Sequence, residues 1–147
     1  MKRTDIIHII IEEQNVVIDS LKQSVDRYKI ASDLDEESTH DPEDFSQQTQ
    51  AKDMQLRYEK MLKEAERNLS FLEGELKLTH DKIEKGTLVE TDKNFLFVGI
   101  SVPVFKFENK EVIAFSDQAP VFQNIKGKNK GQTVEVGPNV LQIIDIN

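Results

Sequence analysis

Apolar residues in the first 85 positions recur mostly at intervals of three, four or seven, the period of a helix with one hydrophobic face. No glycine or proline interrupts Thr4 to Ala31, and a second run extends from Gln48 to Lys85. We therefore predict two long helices, the first capped near Thr4 and Asp5. The predicted apolar lines are Ile7, Ile10, Val17, Leu21, Val25 and Tyr28 in the first helix, and Met54, Tyr58, Met61, Ala65, Leu69, Leu72, Leu76, Thr79 and Ile83 in the second.

Neither helix can bury its apolar line alone. A short polar connector at residues 32–46 allows the two lines to pack against each other, so residues 1–85 are predicted to form an antiparallel coiled-coil hairpin. At 1.5 Å per residue the shorter arm would run roughly 40 Å, which would place the tip far from the rest of the chain. The alternative is a coiled-coil dimer whose seam is buried between two chains.

The pattern changes to short, partly alternating runs after Gly86, which is a natural helix stop. Residues 86–147 are therefore predicted to form a small β-rich domain, giving an α+β fold class. A short helix at 119–125 has Pro120 in its first turn, and a lysine-containing loop follows at 126–131. The predicted strands are 87–90, 95–100, 102–107, 112–115, 133–136 and 140–146.

Charge separates the two segments further. The 147 residues carry a net charge of −8, of which −7 falls in residues 1–85 and −1 in residues 86–147. Such a chain is not built to bind nucleic acid by overall charge. The absence of cysteine excludes a disulfide scaffold and a thiolate zinc site. We expect a cytoplasmic protein, which agrees with the absence of cysteine. We also expect no membrane partner, because no run approaches the roughly 20 apolar residues of a membrane span.

The connector between the predicted helices is the most chemically distinctive segment. It holds seven acidic residues in 15 positions, with no lysine or arginine. Carboxylate oxygens are hard ligands suited to Mg²⁺, an ion that takes few protein ligands and keeps several waters. A tip that presents one or two carboxylates to another molecule's metal site would fit this chemistry. The alternative is an acidic loop that only keeps the surface solvated.

The histidines and the loop lysines do not indicate a second functional site. His40 in the acidic connector is typical of an exposed loop residue. His8 and His80 are predicted to lie on the helices with no cluster around them. Lys126, Lys128 and Lys130 favour a solvated turn over a nucleic-acid patch.

Two short stretches resemble the GreA/GreB family of bacterial transcript-cleavage factors. Residues 115–121, followed by Ile125, Gly127-Lys128 and Gly131, are similar to that family's Ile-Ser…Ser-Pro-Leu-Gly…Leu-x-Gly-Lys-x-x-Gly-Asp pattern. Residues 33–36, Asp-Leu-Asp-Glu, are similar to its Asp-Leu-Lys-Glu tip. The order of the two segments also agrees, so the resemblance covers nearly the whole chain.

The resemblance implies a coiled-coil hairpin followed by an FKBP-like domain that docks on RNA polymerase. The hairpin would enter the polymerase's secondary channel, where Asp33 and Glu36 would help hold a second Mg²⁺ and orient the water that cuts backtracked RNA. The factor would have no active site and no cofactor of its own, since the Mg²⁺ is shared with the polymerase. The implied partner-binding residues are Ser116, Pro120, Val121, Gly127 and Lys128.

Because the short connector favours a hairpin within one chain, we also expect a monomer. The resemblance implies a role in transcription elongation, the RNA 3′ end as a second contact, and DNA binding as a general property. Asp35 stands where the family has lysine, and Phe122 and Gln132 depart from its pattern. A non-cleaving modulator or inhibitor that enters the same channel is therefore an alternative. A prolyl isomerase is a third hypothesis, disfavoured because residues 86–147 contain no tryptophan or tyrosine. A purely structural coiled-coil protein is a fourth.

Overall fold

The computed structural model describes residues 2–36 and 42–147. Contacts divide the chain into two compact units, one comprising Met1–Ile11 with Phe71–Asn147 and the other Glu12–Ser70. We call them the sheet unit and the hairpin unit. The elements are α1 (Lys2–Glu36), α2 (Pro42–Glu75), β1 (Leu88–Thr91), β2 (Asn94–Val98), β3 (Val102–Phe107), β4 (Lys110–Phe115), α3 (Pro120–Ile125), β5 (Thr133–Val136) and β6 (Asn139–Ile146).

The hairpin unit consists of antiparallel portions of α1 and α2. The side-chain amide of Gln14 donates to the Ala65 carbonyl at 2.9 Å. Further along α1, Tyr28 stacks on Tyr58 with ring centroids 5.5 Å apart. Later residues of α1 therefore contact earlier residues of α2, so the two helices are antiparallel. The predicted folding back of the two helices is confirmed.

The buried seam differs from the predicted apolar lines at two positions. Val17 and Met61 are 42% and 46% exposed, whereas Ile18 is buried and Leu62 packs against it. The reason is register: the buried positions follow one another at steps of three or four that pass through Gln14 in α1 and Gln55 in α2. Because both residues are polar, the apolar pattern passes over them and selects neighbouring positions instead.

Six strands form a single mixed sheet in the order β3-β4-β2-β1-β6-β5. The β2–β4 pair is parallel and the other neighbouring pairs are antiparallel. All six lie where the sequence predicts strands, and α3 matches the predicted short helix. The α+β class is therefore confirmed.

Alternation along β2 explains why all five of its residues are buried. Phe95 and Phe97 face a cluster that includes Ile6, Ile7, Ile10 and Leu72 from the outer ends of α1 and α2. Leu96 and Val98 face a second cluster. Two covered faces produce a continuous apolar strand. The second cluster is built from Ile83, Val89, Leu96, Val98, Phe115, Ile125, Val134, Leu141 and Ile143.

The ends of the long helices thus belong to the sheet unit. The predicted division at residue 85 follows chain order, whereas the contacts group residues 1–11 with 71–147. Among the described residues, no helix has a stretch apolar enough to cross a membrane.

The prediction that the second helix reaches Lys85 is wrong. α2 ends at Glu75, and residues 76–87 form an irregular segment, which places three positions of the predicted apolar line outside the helix, namely Leu76, Thr79 and Ile83. The Arg3 guanidinium donates hydrogen bonds to the Glu75 carbonyl at 3.1 Å and to the Leu78 carbonyl at 2.8 Å. A cation that satisfies carbonyls at a helix end favours termination there. This tertiary contact favours a helix end at Glu75 and cannot be predicted from the local sequence.

Candidate functional site

Asp33 and Glu36, the predicted metal-binding pair, lie in the last turn of α1. Positions three apart on a helix share a face. Their side chains lie outside the described part of the structure, as do residues 37–41 entirely, including His40. Whether the two carboxylates meet therefore stays a prediction.

The predicted partner-binding residues come together around α3 and the loop after it. Ser116 follows β4, and its hydroxyl accepts a hydrogen bond from the Gln118 amide at 3.1 Å. Pro120 opens α3, and Val121 packs against the second core cluster. Gly127 and Lys128 are exposed in the following loop. They line separate shallow grooves of ≈ 320 and ≈ 350 Å³, respectively.

A buried ionic cluster, missed at the level of sequence, lies at the end of α2. Arg3 from α1 and Glu75 from α2 form an ion pair at 2.8 Å, with side chains only 5% and 8% exposed. His80 lies beside them in the irregular segment, and Glu84 follows His80 by four residues. We call Arg3, Glu75, His80 and Glu84 the His80 clasp.

Arg3 is fully engaged in this cluster. Its Nε donates to the Leu78 carbonyl, Nη1 donates to the Gly86 and Asn147 backbone oxygens at 2.7 and 2.9 Å, and Nη2 donates to Glu75 twice. A guanidinium has five N–H donors, so every one is used. Burial lowers the pKa of Arg3 from its usual value, an effect that the Glu75 carboxylate opposes.

His80 is held between two carboxylates. Its Nε2 lies 2.8 Å from Oε2 of Glu75, the same oxygen that accepts from Arg3, and its Nδ1 lies 2.8 Å from Oε1 of Glu84. Burial disfavours the charged ring, but the hydrogen bonds to Glu75 and Glu84 outweigh it and raise the pKa of His80. The hydrogen bond from His80 in turn lowers the pKa of Glu84.

The backbone at Gly86 passes close to the Glu75 carboxylate of the clasp. Gly86 has a φ of +98°, and a Cβ added there would collide with the Glu75 carboxylate. The Thr87 hydroxyl accepts from the Glu84 amide and donates to the Lys82 carbonyl, both at 2.9 Å. Only glycine fits this approach, so Gly86 serves the clasp rather than the end of α2.

The expectation that His80 lies on a helix without a cluster is wrong. Its spacing of four from Glu84 was visible in the sequence, but the irregular backbone and the contribution of Arg3, 77 positions earlier, were not. Within the described ranges, no group of three or more histidine or acidic side chains is placed to hold a metal ion. The clasp can bind and release a proton, and it joins three parts of the chain.

Comparison of the chain with protein-family models, with curated proteins and with solved structures finds no match.

Proposed function

We propose that this chain is a cytoplasmic RNA polymerase-binding elongation factor that stimulates cleavage of backtracked RNA. The observation that carries the proposal is the antiparallel hairpin unit, because its two helices are joined through an acidic segment. Residues 12–36 of α1 alone correspond to roughly 37 Å of helix, at 1.5 Å per residue. This hairpin would carry Asp33 and Glu36 into the secondary channel.

The sheet unit is proposed to be FKBP-like and to dock on the polymerase. A mixed sheet with α3 packed on one face supports that proposal, as does the grouping of Ser116, Pro120, Val121, Gly127 and Lys128 around α3 and its loop. The factor would supply no complete active site. Its carboxylates would instead complete the shell of a Mg²⁺ ion shared with the polymerase, which already holds the first metal.

Cleavage is tested on bacterial RNA polymerase stalled with a backtracked, 5′-labelled RNA in Mg²⁺ buffer. We expect the wild type to shorten the RNA, and Asp33→Ala with Glu36→Ala to abolish the stimulation. The matched control is Asp19→Ala with Asp26→Ala, which removes two exposed acids from the same helix and should leave cleavage unchanged. Circular dichroism of each variant checks that the helices remain folded.

Binding is measured in parallel by co-sedimentation with the polymerase. Binding without new RNA ends would reject stimulated cleavage and support the alternative, a non-cleaving modulator of the secondary channel. The acidic residue Asp35, in place of the family's lysine, favours that alternative. No binding by the wild type would reject both.

A further inference from the structure

The hydrogen-bond geometry of His80 favours the protonated form of its ring. Both ring nitrogens lie 2.8 Å from carboxylate oxygens. An ionised carboxylate only accepts hydrogen bonds, and a neutral imidazole donates from one nitrogen alone. Both contacts are hydrogen bonds at once when the ring is an imidazolium. The arrangement therefore requires a proton that an ordinary histidine largely loses near neutral pH.

We propose that the His80 clasp is a proton-dependent lock within residues 76–87, in which the bound proton fastens Glu84, through His80, to Glu75 at the end of α2. With the proton bound, His80 ties Glu84 in the irregular segment to Glu75 in α2. When the proton leaves, one ring nitrogen becomes an acceptor facing a carboxylate oxygen, and that contact turns repulsive. This inference goes beyond the proposed function and does not depend on it.

The charged groups around His80 show which contact opens. Arg3 from α1 keeps its hydrogen bonds to the Glu75 carboxylate and to the backbone carbonyls whether or not His80 is protonated. The Arg3–Glu75 part of the cluster therefore stays closed. Glu84, on the same segment as His80, is 41% exposed, and its other oxygen faces Lys82 at 3.7 Å. Glu84 can therefore turn to solvent at low cost. We infer that the His80–Glu84 contact breaks first and that Glu75 stays buried with Arg3.

Opening would reshape a neighbouring surface. Residues 82–85 form one wall of the groove whose other wall is Phe122, Lys126 and Gly127. Ile83, within that wall, is also buried in the second core cluster. Glu84 itself belongs to this wall, so a Glu84 side chain that turns to solvent changes the lining of an exposed groove on the sheet unit. Proton binding at His80 would set the shape of that groove.

The direction of the pH effect follows from the raised pKa of His80. A raised folded-state pKa means that the native protein binds the proton more tightly than the unfolded chain does. The stabilisation is fully present below the unfolded-state value, about 6.5, and is lost as pH rises through the folded-state pKa. Between the two pKa values the unfolding constant should increase by up to about tenfold per pH unit.

Two measurements test the lock. Imidazole ¹⁵N shifts, assigned among the three histidines with the variants His80→Gln and His8→Gln, report protonation directly. We expect both nitrogens of His80 to carry protons at pH 7 and its pKa to lie above the ordinary histidine value of about 6.5. Urea unfolding from about pH 5.5 to 9 should show a pH-dependent loss that His80→Gln removes and the control His8→Gln preserves.

Glu84→Gln keeps the test decisive if His80→Gln does not fold. This variant retains an acceptor but removes the negative charge, so the pKa of His80 should fall towards its ordinary value. Hydrogen exchange in residues 76–87 should then accelerate at a lower pH than in the wild type. A neutral His80 at pH 7, or an unchanged His80 titration in Glu84→Gln, would overturn the proposal.

Discussion

Arg3 is the residue whose replacement should cost most stability. Arg3→Met leaves the Glu75 carboxylate, 8% exposed, without its guanidinium and removes donors from four backbone carbonyls. Breaking a buried ion pair on one side costs about 3–5 kcal/mol. Urea unfolding at pH 7 measures the loss. The adjacent Lys2→Met is the matched control, because Lys2 is half exposed and should matter much less. Equal stabilities of the two variants would contradict this account.

Residue-scale chemistry was predictable only where the partners were close in sequence. The acidic connector and the His80–Glu84 spacing can be seen directly in the chain. Arg3 cannot be paired with Glu75 in advance, because the two are 72 positions apart and meet only when the helix ends pack against the sheet. A buried arginine near the start of a helix is also indistinguishable by composition from an exposed one. The site was missed because its geometry is tertiary.

Within the helices, Gln55 is a polar residue in an otherwise mainly apolar seam. It is 6% exposed, and although its amide nitrogen donates to Glu59, its carbonyl oxygen has no hydrogen-bond partner among the described residues. A buried unsatisfied acceptor costs about 1–3 kcal/mol. Gln55→Leu should therefore stabilise the hairpin unit by an amount of this order, measured by thermal unfolding. Gln50→Leu, an exposed change in the same helix, should have little effect, and destabilisation by Gln55→Leu would show that the oxygen is satisfied.

The strands and helices themselves were largely predictable, because their signals are periodic and local. The six strands follow from short alternating or continuously apolar runs bounded by turn residues, and α3 follows from Pro120 in its first turn. The helix seam was harder, since Gln14 and Gln55 occupy buried positions that a search for apolar residues passes over. Gln14 is nonetheless satisfied by the Ala65 carbonyl. A polar residue with a partner across the seam favours one register of the two helices over others.

At the scale of the whole molecule, the oligomeric state depends on where the seam is buried. Ile18, Leu21 and Ala65 pack within one chain, together with Leu62 and Leu69. A surface already occupied by the chain's own second helix cannot serve as the seam of a dimer. The coiled-coil dimer would need the same side chains to face another copy. Folding back within the chain therefore favours the monomer.

Sedimentation equilibrium at neutral pH tests this expectation. We expect a single species of 16.9 kDa across a wide range of concentrations. Exposed apolar side chains of the hairpin unit through which two copies could still associate include Val16, Val17, Ile30, Leu56 and Met61. Any such contact lies outside the seam, so it should weaken on dilution and weaken further when Ile30 and Leu56 are changed to serine. A dimer that persists on dilution and in this variant would overturn the expected monomer.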